Sequence, residues 1–196
     1  VCLNTMRKYL FVKKIIEKYL TKKPNFKLEI LLSSAITQIV YLNFKAYAVT
    51  NCSVDIAKTI KVNPGLVNAT LKNINRDKLK LLDIKINFSE LPEWFVSNTD
   101  DLKLSDKQIF LENFHQEPDL HIVFKDKNKM KFFNEKIIAT SDSSGFLPTR
   151  RTIDSIQNFN SGDWWVQDFS SSYPLMKLKQ SLDGKKIIDL CSAPGG

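Results

Sequence analysis

The sequence predicts a multidomain α+β protein in which an all-α bundle is followed by a small α+β segment and then by the start of an α/β domain. Three observations predict this order. Apolar residues recur with helical spacing up to about Arg76. A segment with strand-like alternation begins at Leu120. The last ten residues, IIDLCSAPGG, place an apolar run before a Pro-Gly-Gly turn.

The first part of the chain has the pattern of a helical bundle. A shorter helix near residues 10–19 places apolar residues on one face and Lys13, Lys14 and Lys18 on the other. The face of the next predicted helix consists of Leu28, Leu31, Leu32, Ala35, Ile36, Ile39 and Val40. Four helices with short connections are expected here.

Two further helix starts are predicted within this bundle. Ser53 is a candidate N-cap before the segment VDIAKTI. Asn63-Pro64 is a clearer signal, because a capping side chain precedes a proline at the first helical position.

The middle of the chain mixes helix and strand signals. Pro92 leads a short helix in LPEWFV, and Ser105 with Gln108 predicts a capping box before IFLENF. LHIVFK, from Leu120 to Lys125, has the length and residue types of a strand. A charged turn in KDKNKMK, a short helix in NEKIIAT and a loop at Ser143-Ser144-Gly145 are expected after it.

The last segment has the pattern of an α/β domain entrance. Turns are predicted at Ser161-Gly162-Asp163 and at Asp183-Gly184. The apolar run from Ile187 to Leu190 predicts a buried parallel strand. Small residues after it would allow the backbone to approach a ligand closely, as in nucleotide sites at this edge of an α/β sheet.

The chain is basic, with a net charge of +8 and a sequence pI of about 9.3. A lysine-rich solvated surface and a polyanionic partner both account for this charge, and composition alone leaves the two open. Most of the basic residues are lysines, which suit contacts with phosphates better than base readout.

The cysteines and histidines do not form a metal pattern. Cys2, Cys52 and Cys191 are far apart, and His115 and His121 have no cysteine at zinc-site spacing. Three widely spaced cysteines are consistent with reduced thiols in the cytoplasm.

The most apolar stretch, ILLSSAITQIVYL, is too short and too polar for a membrane span. The start at Val1 leads us to expect that the chain was cut from a longer one.

The segment DLCSAPGG resembles the first S-adenosylmethionine motif of the Sun-type RNA (cytosine-5) methyltransferases. Ser192 stands where alanine is commoner. The resemblance implies a cofactor loop formed by Cys191, Ser192, Ala193, Pro194, Gly195 and Gly196.

Upstream segments resemble the same family in the same order. WVQDFSS resembles the family's V-Q-D-x-A/S-A/S segment, and LPEWFV resembles its Pro-x-Trp helix. EPDLHIVFK resembles its Pro-Pro-x-x-x-Arg-x-Asn strand, although Phe124 and Lys125 depart from the Arg-x-Asn pattern. GLVNATLKNINR, from Gly65 to Arg76, resembles a helix of the NusB-like domain. In the bacterial small-subunit ribosomal RNA enzymes, this domain precedes the catalytic region.

The resemblance implies three segments. Residues 1–78 correspond to a NusB-like RNA-binding domain without its first helices, and residues 79–150 to a connecting α+β subdomain. Residues 151–196 correspond to the start of a Rossmann-like α/β methyltransferase domain. The chain is thus expected to be a fragment, truncated at both ends, of a cytoplasmic and monomeric enzyme that takes S-adenosyl-L-methionine and small-subunit ribosomal RNA, without a metal.

No catalytic residue is expected within these residues, because the family's two catalytic cysteines lie further along. Cys191 is expected in the cofactor loop, where it lines the pocket and does not attack the cytosine ring. The fragment is therefore expected to be inactive and to bind the cofactor weakly or not at all. The alternative is a stand-alone NusB-like RNA-binding or regulatory module without catalysis.

Five residues upstream of the loop have competing interpretations. Asp168 is expected to cap a helix and not to act in catalysis. Trp164 and Trp165 are expected to pack under the cofactor-site helix and not to stack on a base. Arg150 and its neighbour Arg151 are candidates for contact with RNA phosphate, and the alternative is that they have no specific role.

Overall fold

A computed structural model describes residues 1–148, 152–178, 181–190 and 192. The chain divides into two compact units, Val1–Gln116 and Glu117–Gly196. This boundary differs from those at residues 78 and 150 that the family resemblance implies, because the helices up to residue 113 belong to the same unit as the bundle. The assignment of three family domains remains a prediction.

The first unit is helical, and the predicted helical character up to Arg76 is confirmed. Its helices are α1 (Cys2–Arg7), α2 (Tyr9–Tyr19), α3 (Phe26–Ile36), α4 (Ala46–Thr59), α5 (Pro64–Arg76), α6 (Lys78–Leu81), α7 (Glu93–Ser97) and α8 (Leu104–Asn113). A π-helical segment, Thr37–Tyr41, continues α3, and a 3₁₀ turn forms at Phe88–Glu90.

One apolar core holds this bundle together. Ile15 on α2, Leu32 and Ile36 on α3, and Val67 and Leu71 on α5 are completely buried. Each such aliphatic side chain contributes about 1.5–3 kcal/mol on leaving water. The periodic apolar face predicted for residues 28–40 is confirmed, since all seven of its residues are buried.

The predicted helix caps were partly right. Asn63 caps α5, because its side chain accepts a hydrogen bond from the Leu66 amide at 3.1 Å. The prediction for Ser53 was wrong: this residue lies inside α4, buried, and its hydroxyl donates to the Val49 carbonyl at 2.7 Å. The capping box at Ser105 was also wrong, because α8 begins at Leu104 and its N-cap, Lys103, makes no side-chain cap bond.

The second unit contains a four-stranded antiparallel sheet in the order β2-β3-β1-β4. The strands are β1 (Leu120–Phe124), β2 (Ile138–Ser141), β3 (Ser144–Leu147) and β4 (Trp164–Val166). Two helices, α9 (Lys127–Lys131) and α10 (Phe169–Met176), and a 3₁₀ turn at Ile153–Ser155 accompany them. The predicted strand from Leu120 is confirmed.

Three local predictions in this unit were wrong. NEKIIAT contributes to β2 and not to a helix, because Ile138 and Ala139 pair with Phe146 and Gly145 of β3. Ser144 and Gly145, expected in a loop, belong to β3. The charged segment after β1 is the one-turn helix α9, whose first amides donate to the side chain of Asp126.

The apolar run from Ile187 to Leu190 does not form the predicted parallel strand. A buried parallel strand requires neighbouring strands to satisfy its backbone groups and to cover its faces. The described part of the second unit offers no parallel partner, and the Leu190 side chain is 90% exposed. The expected entrance to a Rossmann-like domain is therefore not formed by these residues.

Candidate nucleic-acid interface

The net positive charge of the chain comes from its first part. From Val1 to the end of α5 at Arg76, the sequence has thirteen Lys and Arg residues but only three Asp and Glu residues. The remainder has sixteen basic and eighteen acidic residues. The excess that makes the chain basic thus belongs entirely to the helical bundle, where it can attract a polyanion.

Lysines of α2 and the following turn surround a surface cavity of about 320 Å³. Its charged lining residues are Lys13, Lys22, Lys23, Glu17 and Glu29. The three lysines are exposed, so their ammonium groups are accessible to phosphates. Three cations against two carboxylates leave this surface positive.

Lys14 has a different role from its neighbours on α2. Its ammonium group forms an ion pair with Glu90 at 2.7 Å and donates to the Lys85 carbonyl at 2.8 Å. The Glu90 carboxylate also accepts a hydrogen bond from the Asn87 amide, and these bonds lower its pKa. Lys14 therefore fixes the segment after α6 against α2 and is not available to a nucleic acid.

A second basic cluster lies where the end of α2 meets the junction of α5 and α6. The Tyr19 hydroxyl donates to Asp77 at 2.6 Å, and burial together with this bond raises the pKa of Tyr19 to about 12. The same bond is the main cause that lowers the pKa of Asp77, and the nearby charges of Arg76, Lys80 and Lys18 add to it. One carboxylate thus stands among three cations, and the cluster is positive.

The predicted cofactor loop is largely outside the described residues. Cys191, Ala193, Pro194, Gly195 and Gly196 fall there, as do Arg150 and Arg151. Ser192 is described and exposed, and residues 181–190 before it are exposed as well. Exposed residues cannot enclose an adenosyl group, so the described part of the loop does not form a cofactor pocket.

Asp168 lies where the sequence predicted a helix cap. Its carboxylate accepts hydrogen bonds from the amide of Ser170, at 2.8 Å, and from the Ser170 hydroxyl at the start of α10. These bonds, first the one from the hydroxyl, lower the pKa of Asp168. The capping role is confirmed.

The two tryptophans have different surroundings. Trp164 is buried in the core of the second unit, and its indole donates to the Gln157 carbonyl at 2.7 Å. Trp165 is half-buried, and its indole donates to the side chain of Gln167 at 3.2 Å.

Sequence reasoning missed a buried polar network around His121. Its two ring nitrogens lie within hydrogen-bonding distance of the Gln167 carbonyl and the Thr140 hydroxyl. The Thr140 hydroxyl in turn contacts Ser144, which contacts Ser141. A histidine within an apolar strand pattern was the available signal, since a buried histidine needs partners.

Neither metal-binding clusters nor membrane-crossing helices occur in the described part of the chain. No group of three or more His, Cys, Asp and Glu residues is placed there to hold a metal ion. None of the described helices combines the length and apolar character needed to cross a bilayer.

Comparison with known proteins gives two kinds of match. Residues 1–76 match the NusB family. The chain is also similar to proteins named ribosomal RNA small subunit methyltransferase B. The one from Photorhabdus laumondii is 26% identical over 184 residues, covering 86% of this chain and 43% of the relative. The one from Pasteurella multocida is 25% identical over 209 residues, covering 100% and 46%.

A third relative of the same name, from Pectobacterium carotovorum, is 24% identical over 200 residues, covering 94% of this chain and 46% of its own. The chain therefore spans less than half the length of these three relatives. The NusB match ends at the residue where α5 ends and where the excess of positive charge ends. Residues 1–76 are similar to the NusB family, and the chain as a whole is similar to ribosomal RNA small subunit methyltransferases B.

Proposed function

We propose that this chain is part of an S-adenosyl-L-methionine-dependent enzyme that methylates C5 of a cytosine in small-subunit ribosomal RNA. The observation that carries the proposal is the similarity to the named methyltransferases, which extends through both compact units. Because the chain spans less than half of these relatives, the activity is assigned to a protein that joins it to a methyltransferase domain.

The chemistry of C5 methylation explains why no catalytic step is assigned to these residues. C5 of cytosine is a poor nucleophile until a thiolate adds to C6 of the ring, and the family resemblance places the responsible cysteines outside this chain. The cofactor supplies the methyl group when bound. The residues proposed to contact it are Cys191, Ser192, Ala193, Pro194, Gly195 and Gly196.

The role proposed for the helical bundle is to bind ribosomal RNA. Its excess of ten positive charges over residues 1–76 supports this role, because lysines that neutralise phosphates release counterions. The exposed Lys13, Lys22 and Lys23 and the cluster around Asp77 are the proposed contacts. We expect the protein to act as a cytoplasmic monomer.

Tritium release tests the proposed reaction. Small-subunit ribosomal RNA that carries tritium at cytosine C5 is incubated with the enzyme that contains this chain and a complete methyltransferase domain. Methylation at C5 displaces the C5 hydrogen, so we expect tritium in water only when S-adenosylmethionine is present. Methyl incorporation without tritium release would show that another atom is methylated.

Salt dependence tests the proposed role of the bundle. Binding of the chain to ribosomal RNA fragments should weaken steeply with added salt, and replacing Lys13, Lys22 and Lys23 by Gln should reduce the slope of log K against log salt by about two to three. The matched control replaces Lys14, whose charge is already paired, and should change the slope little. Binding that does not respond to salt would contradict the proposal.

A second candidate is a NusB-like RNA-binding or regulatory module without catalysis. The exposure of residues 181–190 and 192, with no strand among them, favours it. It predicts salt-dependent RNA binding without any tritium release.

A further inference from the structure

A cavity of about 580 Å³ in the first unit has features of a ligand site. It lies between α2, the end of the π-helical segment, the residues after α6, and α8. Its volume is within the range of about 300–1,000 Å³ that is typical of small-ligand sites. We name it the Lys8 cavity, and its described lining includes Lys8, Phe11, Tyr41, Ile84, Leu111 and His115.

The cavity contains polar atoms without partners. Tyr41 Oη is buried and has no hydrogen-bond partner among the described residues, and neither has Nδ1 of His115. Burial raises the pKa of Tyr41 to about 12, so its hydroxyl keeps the proton and remains a donor. Buried polar groups are normally paired, so an unpaired donor on a residue that lines a cavity indicates a missing acceptor.

A lysine beside the Tyr41 ring has no described carboxylate as counterion. Lys8 Nζ lies 5.3 Å from the centre of the Tyr41 ring and 5.6 Å from that of Phe11. No carboxylate within the described ranges forms an ion pair with it. Partial burial lowers the pKa of Lys8. The pKa of His115 is lowered first by its own burial and then by the positive charge of Lys8. An anion would relieve the cost of holding this cation away from water.

The backbone around Tyr41 is built in an unusual way. The π-helical segment Thr37–Tyr41 is closed by a bond from the Leu42 amide to the Thr37 carbonyl at 3.0 Å. Such widened turns are rare and frequently occur at functional sites. Here the widened turn ends at Tyr41, whose hydroxyl is unpaired.

The remaining walls are mainly apolar. Leu82, Ile84, Ile86 and Leu111 line the cavity together with the Phe11 ring. The carboxylate in the lining, Glu112, is exposed and accepts a hydrogen bond from Gln108 at 3.2 Å. A fitting ligand therefore has one anionic group and an apolar or planar body.

We propose that the Lys8 cavity receives one unpaired nucleotide of RNA, with its phosphate at Lys8 and Tyr41 and its base against the apolar walls. RNA recognition commonly uses unstacked bases that pack on protein side chains. The excess positive charge of residues 1–76 favours a nucleotide within RNA over a free one. This inference rests on the proposed RNA-binding function of the bundle.

Fluorescence anisotropy with labelled oligouridine tests the inference. Lys8→Gln and Tyr41→Phe should each weaken binding about tenfold to a hundredfold, as expected for a lost hydrogen bond to a charged group. Lys8→Gln should also reduce the salt slope by about one, whereas Tyr41→Phe should leave it unchanged. The control Lys72→Gln, at an exposed position on α5, should weaken binding less than twofold.

A structural role of the cavity would give a different result. Tyr41→Phe removes only a buried unpaired hydroxyl, so a structural role predicts unchanged or increased stability to urea and no loss of affinity. Unchanged oligouridine binding by both variants overturns the inference while the proposed RNA binding stands. Absence of RNA binding by the unmodified chain overturns both.

Competition experiments identify the source of the nucleotide. Unlabelled duplex RNA of the same length should compete less well than the single strand. Uridine monophosphate should compete only weakly. Equal competition by the free nucleotide, abolished by Lys8→Gln, would overturn the assignment to RNA in favour of a free nucleotide.

Discussion

His121 and Gln167 are joined by a short hydrogen bond, in which His121 Nδ1 lies 2.7 Å from the Gln167 backbone oxygen. A carbonyl oxygen can only accept, so Nδ1 carries a proton and donates it to Gln167, while Nε2 lies 2.9 Å from the Thr140 hydroxyl. The ring thereby connects β1 to β2 and to the residue before the cap of α10.

Replacing His121 by Phe should destabilise the second unit by about 2 kcal/mol. The ring volume is retained, but the Gln167 carbonyl and the Thr140 hydroxyl lose their bonds to the buried imidazole. Urea unfolding followed by tryptophan fluorescence measures this, since Trp164 and Trp165 are in the same unit. Thr140→Val removes the hydroxyl contacts with His121 and Ser144 but keeps the bond between His121 and Gln167, and should cost less. An unchanged urea midpoint in His121→Phe would contradict the structural role.

Removal of the Asp168 cap should cost about 1 kcal/mol near neutral pH. The folded pKa of Asp168 lies below that of an unfolded aspartate, about 3.9, so its contribution is present above that value and lost as the pH falls through the folded pKa. The stability difference between the natural chain and Asp168→Ala should therefore shrink as the pH falls from about 5 to about 2. Urea titrations across this range test it.

Asp119→Ala is the control for that experiment, because Asp119 is exposed and lies outside the regular elements. It should change stability little at any pH. A difference for Asp168→Ala that stays constant with pH would mean that the carboxylate charge is not what the cap requires.

Gly145 should not tolerate a side chain. A Cβ at this position would lie 2.6 Å from the Ile138 carbonyl oxygen and would also overlap the side chain of Ile137. We expect Gly145→Ala to cost about 3 kcal/mol, because the pairing of β2 with β3 must shift. Thermal unfolding monitored by circular dichroism measures the loss.

Gly162→Ala provides the matched comparison. Gly162 has a φ of +68°, and no atom lies within 4 Å of the added Cβ, so only backbone strain of about 1–2 kcal/mol is expected. If the two variants lose the same stability, the close approach at Gly145 is not the limiting factor.

How far the sequence predicted the fold depended on how local each signal was. The Asn63-Pro64 start of α5 could be predicted because the capping bond spans only three residues. The strand β2 could not, because its conformation follows from pairing with β3 at Gly145. Ser53 has the chemistry of a cap, but the surrounding helices bury it inside α4.

The candidate site follows the same principle. The lysines of α2 were visible in the helical pattern, yet the pairing of Lys14 with Glu90 joins residues far apart in sequence and could not be foreseen. The partners of His121 also come from distant strands and turns. The Lys8 cavity combines residues from both ends of the first unit, and no spacing rule connects them.

The chain alone should bind S-adenosylmethionine weakly or not at all. Small-ligand sites typically bury 70–90% of the ligand surface, but residues 181–190 and 192 are all exposed and form no strand. Isothermal titration calorimetry should give no saturable heat at micromolar concentrations. The same titration of a protein that joins this chain to a complete methyltransferase domain is the positive control. Micromolar affinity of the chain by itself would mean that the loop forms a pocket with residues of its own unit.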